Sequence, residues 1–155
     1  MGRFLNSIIP YASYEETCTD DYFVDKSLLI DELIPALSKK NRFLCITRPR
    51  RFGKSVMANM IGAFFGNVKD SRNIFQNLAI SKSPNFSKHL NRHKIIYIDF
   101  SRFPRNCTSY EQYINRIQDG INQDLSLAYP DLTIEIGDAV WDVLMDIFQA
   151  TSDKF

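Results

Sequence analysis

With 155 residues, 45% apolar and 24% charged, the chain has the size and composition of one globular domain with material for a core. A net charge of +1 excludes a chain-wide electrostatic footprint for nucleic acid or an anionic membrane. No apolar run reaches membrane-spanning length, and Asn6 and Pro10 interrupt the N-terminal apolar stretch, so neither a span nor a leader is expected and the cytoplasm is the default compartment.

In chain order, residues 27–39 place Leu28, Leu29, Leu33, Ile34 and Leu37 at helical spacing, with Pro35 set to kink or restart the element. The apolar run 43–47 reads as a strand in which Cys45 is a small buried group. A helix follows over 56–65, carrying Met57, Met60, Ile61, Phe64 and Phe65, with Gly66 and Asn67 as its stop signal. Residues 74–88 are mixed, and Pro84 with several serines marks a loop. Residues 94–100 are β-rich and mostly apolar, as in a strand buried on both faces. Tyr113, Ile114, Ile117, Ile121 and Leu125 predict an amphipathic helix over 110–127, and Val140, Val143, Leu144, Ile147 and Phe148 another over 138–149. This alternation predicts an α/β fold, a P-loop NTPase-like parallel sheet flanked by helices, in one domain over residues 1–155.

Between the first strand and its helix stands Arg48-Pro49-Arg50-Arg51-Phe52-Gly53-Lys54-Ser55, whose end satisfies the second half of the Walker A pattern. Backbone N–H groups from Arg50 to Ser55 are expected to curl into an anion-binding concavity at the positive end of the following helix. Gly53 allows the backbone to approach phosphate and makes a positive φ cheap. Lys54, the candidate catalytic residue, brings an ammonium to the β- and γ-phosphates, and the Ser55 hydroxyl is a Mg²⁺ ligand. The predicted nucleotide contacts are Arg50, Arg51, Phe52, Gly53, Lys54, Ser55 and Val56, with ATP and Mg²⁺ as cofactors. Arg48 stands where the pattern has its first glycine and Pro49 follows it, so the loop is expected to leave the strand by a stiffened path.

The block Arg48 to Ser55, preceded by Tyr22-Phe23-Val24-Asp25-Lys26-Ser27, closely resembles the prokaryotic AAA-ATPase-like family from about Ile9 onward. The resemblance implies a P-loop ATPase in which Mg-ATP binding or hydrolysis drives change in an attached or partner domain, often a C-terminal PD-(D/E)XK nuclease-like domain. It also implies that the Walker B strand, ending in Asp-Glu, belongs beyond Phe155, so that the chain is expected to be an N-terminal portion, inactive by itself. Asp99, ending the run 95–99, is then either a Mg²⁺ partner or a turn residue. By the same resemblance Asp25 and Lys26 lie near the entrance to the nucleotide site; the alternative is that Asp25 caps the following helix and Lys26 is solvated.

Two further function classes stay open on the sequence. One is nucleotide binding without hydrolysis, since no Walker B acid pair is present. The other is nucleic-acid binding through the arginine cluster, for which Phe52 is the single aromatic close by. His89 and His93, four positions apart, either share a helical face toward a metal or are ordinary polar residues. Cys18, Cys45 and Cys107 are odd in number and lack C-x-x-C spacing, which reads as reduced thiols.

Overall fold

The structure, a computed structural model, describes residues 2–37, 43–47, 49, 51–101, 104 and 106–155. Two compact units account for it: Ile8–His93, and Met1–Ser7 with Lys94–Phe155.

In the first unit α1 (Ile9–Cys18) opens with Pro10 in its first turn, where the missing N–H costs nothing. Then come α2 (Leu28–Leu37), α3 (Lys54–Phe65), α4 (Arg72–Phe75), a 3₁₀ turn (Ala79–Lys82) and α5 (Phe86–His89). α1 packs along α3, and the seam is aromatic. Tyr14 of α1 stacks on Phe75 with centroids 5.3 Å apart, and Phe64 of α3 meets Phe75 edge-on at 5.3 Å. All three are fully buried, as are Ile30, Met60 and Ile80. Asn91, at φ 54, closes the far end of α3. Its N–H reaches Phe64 O at 2.8 Å, its side-chain amide donates to Gly66 O, and its side-chain oxygen accepts from the Ser71 amide at 3.0 Å. The last carbonyls of the helix, which have no partner inside it, are thereby bonded.

In the second unit α6 (Tyr110–Ala128) begins at Ser109, whose hydroxyl accepts the Gln112 N–H at 3.2 Å while Gln112 Oε1 accepts the Thr108 N–H at 2.9 Å, a reciprocal cap. α7 (Val140–Thr151) follows, and Tyr113, Ile117, Ile121 and Leu125 form a core with Val143 and Ile147 and with Phe4 and Leu5. The N-terminal segment is held by Asp124 of α6, whose carboxylate accepts the amides of Phe4 and Leu5 at 2.6 and 3.0 Å. Lys94, Tyr129 and Asp153 form a polar cluster in the same unit, with Lys94 ion-paired to Asp153.

The predicted parallel sheet is corrected by this architecture. Among the described residues no β-strand forms, and the chain is helical with isolated bridges. Residues 43–47 are exposed, Phe43 at 99%, and Cys45 is an exposed thiol instead of a buried one. Residues 94–100 are half-buried at most, and a single antiparallel bridge joins Ile96 to Leu5, flanked by Asn6 N–H to Ile95 O at 2.8 Å and Tyr97 N–H to Phe4 O at 2.9 Å. The physical reason is that a short apolar run specifies an extended chain but not its neighbours, and without a continuous partner its backbone forms no ladder. The helices at Leu28–Leu37, Lys54–Phe65, Tyr110–Ala128 and Val140–Thr151 agree with the periodicity. α1 and the short elements between Arg72 and His89 do not appear in the sequence reading.

Candidate functional site

The Gly-Lys-Ser segment sits at a helix N-terminus. Gly53 is the N-cap of α3 with φ 74 and ψ 24, a left-handed conformation that costs an L-residue energy and glycine none. Arg51, at φ 68, is also left-handed, and Phe52 N–H reaches back to Pro49 O at 3.4 Å, so the chain turns tightly into the helix. The first intrahelical bond of this end is Met57 N–H to Gly53 O at 2.9 Å. First-turn amides ahead of such a bond project from the helix end, where the dipole favours an anion. The Lys54 ammonium donates to Pro49 O at 3.1 Å, folding over the turn.

Beside this turn opens a pocket of about 300 Å³ within the Ile8–His93 unit. Arg51, Phe52 and Gly53 line it from the loop, and Val56, Met57 and Met60 from α3. Tyr14 and Thr17 of α1 and the segment Asp20, Tyr22, Phe23, Val24 and Lys26 complete it. Its lining is therefore aromatic and apolar with two cationic side chains and one carboxylate. Asp20 is engaged in its own turn, accepting the Tyr22 N–H at 3.1 Å.

The segment that supplies Lys26 is fastened from both sides. Asp25 Oδ1 accepts the Ser27 N–H at 2.8 Å and Oδ2 accepts the Ala79 N–H at 2.7 Å. Burial pushes the Asp25 carboxyl upward, but the bonds from Ala79 and Ser27 outweigh it and leave the group below the usual carboxylate range. Ser27 is fully buried, and its hydroxyl accepts the Ile80 N–H at 3.1 Å. Asp25 is thus a structural clamp, while Lys26 is one of the pocket's walls.

Of the predicted contacts, Arg51, Phe52, Gly53 and Val56 line the pocket; Lys54 and Ser55 open α3 next to them, both exposed. Arg50 lies outside the described residues, as does Arg48. Tyr14, Tyr22 and Phe23 as pocket residues escaped the sequence reading, although the Tyr22 to Ser27 motif pointed to their neighbourhood; Lys26, for which a place near the site was one of two readings, lines the pocket. Asp99 Oδ1 accepts the Ser101 N–H at 2.8 Å, the turn-forming alternative. His89 and His93 stack with ring centroids 5.2 Å apart and Nδ1 to Nε2 at 3.0 Å, both edge-on to Phe65. Burial and the neighbouring His89 push His93 below its usual value. Among the described residues no group of three or more His, Cys, Asp or Glu side chains is placed to hold a metal ion. Among the described residues no helix is long and apolar enough to cross a membrane.

A positive-φ glycine stands at the N-cap of a 12-residue helix, with a lysine and a serine directly after it and a pocket alongside. The family described as Predicted AAA-ATPase matches residues 9–155, and the chain belongs to that family. No curated protein and no solved structure matches it.

Proposed function

We propose that this chain is the nucleotide-binding part of an AAA-type ATPase, taking Mg-ATP at residues 51–56. The observation that carries the proposal is the left-handed Gly53 at the start of α3, bordering a pocket of about 300 Å³. The glycine gives phosphate oxygens close access to backbone, and the α3 N-terminus contributes its dipole. Lys54 is the loop cation and releases Pro49 O when it turns to phosphate. Ser55, exposed in the first turn, is the hydroxyl assigned to Mg²⁺, which when bound neutralises charge on the phosphate chain. The aromatic and apolar walls suit the base, since stacking is favourable for any base face. Coupling of nucleotide to an attached or partner domain is the part of the proposal that rests on the family.

A ligand that binds the folded state alone raises the melting temperature, by about 2.7 kcal/mol of added stability at a hundredfold excess over Kd. Millimolar Mg-ATP is expected to raise the Tm of the parent and not of Lys54→Ala. An unmoved Tm for the parent, or an equal rise in both proteins, overturns the proposal. Tight binding of duplex DNA that weakens steeply with salt and is lost with Arg51→Ala moves the function to nucleic acid instead.

A further inference from the structure

The geometry points to Lys26 as a second phosphate-binding cation, which holds the phosphate chain of a nucleoside di- or triphosphate over Gly53; the inference rests on the nucleotide proposal for the loop. Its ammonium lies 3.7 Å from the place a Cβ would take on Gly53. The space that the glycine leaves open is thus bordered by a cation that the sequence places 27 positions earlier. Lys26 also lines the pocket. Among the described residues it has no carboxylate partner; the ion pair there joins Lys94 to Asp153.

The backbone of Lys26 is fixed on every side. Asp25 before it is bonded to Ser27 and Ala79, Ser27 after it to Ile80, and its own carbonyl accepts the Leu29 N–H at 3.1 Å at the start of α2. Holding the main chain in place removes part of the ordering cost that a lysine pays on binding an anion. Its exposed side chain keeps the compact, rotatable donor of an ammonium, which suits phosphate oxygens as a point charge. Lys54, by contrast, reaches Pro49 O. The two lysines approach Gly53 from different parts of the chain, one from the helix that follows it and one from the segment before α2. Asp20 is the carboxylate facing the same pocket; its bond to the Tyr22 amide keeps it part of the turn.

The test is calorimetric titration of Mg-ATP into the full chain as parent, Lys26→Ala, Lys26→Arg and Lys54→Ala. Lys26→Ala is expected to bind about tenfold more weakly, the size of a lost bond to a charged group. Its melting temperature stays at the parent's, since Lys26 is exposed. Lys26→Arg is expected to recover most of the affinity, and the salt dependence of Kd is expected to be shallower for Lys26→Ala than for the parent. If Lys54→Ala weakens binding and Lys26→Ala binds within twofold of the parent, Lys26 is not a phosphate ligand and the loop proposal stands. If the parent itself does not bind Mg-ATP, the loop proposal falls and this one with it.

Discussion

Asp25 Oδ2 accepts the backbone N–H of Ala79 at 2.7 Å, joining residues 54 positions apart in the chain. With Oδ1 on the Ser27 amide and Ser27 Oγ on the Ile80 amide, the two side chains that flank Lys26 tie the approach to α2 onto the 3₁₀ turn at Ala79–Lys82. The same tie sets the position of Lys26 beside Gly53.

Asp25 has a definite pH consequence. Burial raises the Asp25 carboxyl, the Ala79 and Ser27 bonds lower it further than burial raises it, and Asp31 is lowered by bonds from Ser83 and Asn85. Folded values below the ordinary 3.8 mean that these carboxylates stabilise the fold above that pH. Their contribution is lost as pH falls through 3.8 toward the folded values. Asp25→Asn with Asp31→Asn is expected to lower stability at pH 6 by about 1 kcal/mol per bonded group. The double variant's melting temperature then falls less steeply than the parent's from about pH 5 downward, followed by circular dichroism. Parallel curves for the two proteins would exclude a clamp role for these carboxylates.

Gly53→Ala separates backbone strain from crowding. A Cβ there meets the Lys26 ammonium at 3.7 Å, an ordinary contact, so the cost comes from φ 74. That conformation costs an L-residue about 1–2 kcal/mol, which for a chain of this length lowers Tm by roughly 2–8 °C. The variant is expected to keep its helical circular dichroism and to lose Mg-ATP affinity. An unchanged Tm would show that Gly53 is not held left-handed in solution.

Among the described residues the buried Tyr14 hydroxyl has no nitrogen or oxygen partner; its neighbour is the weakly bonding Cys18 thiol, and burial pushes its pKa upward. Tyr14→Phe keeps the ring stacked on Phe75 and removes the unsatisfied group. It is expected to be neutral or stabilising by up to about 1 kcal/mol, whereas Tyr14→Ala costs about 3–5 kcal/mol through the cavity it leaves. Urea unfolding measures both. A Tyr14→Phe loss above 1 kcal/mol would mean that the hydroxyl has a partner worth that much.

Amino-acid order alone determined the elements whose information is local. α3, α6 and α7 are legible because apolar residues recur every three or four positions, and Gly53-Lys54-Ser55 is legible as a helix start with a positive-φ glycine because glycine has that freedom wherever it stands. α1 was not legible, because the segment Ile9–Cys18 mixes tyrosines, glutamates and small residues without an apolar stripe; its burial is created by Phe64 and Phe75. The expected sheet failed for a related reason: pairing is a property of two segments, and residues 94–100 find Phe4, Leu5 and Asn6 where periodicity implied parallel neighbours. Asp25 and Lys26 show the division most plainly. Their order in the chain left both a capping and a site role open; in the tertiary structure the Ala79 amide meets the Asp25 carboxylate, while the Lys26 side chain, carried on the same pinned backbone, ends 3.7 Å from the Cβ position of Gly53.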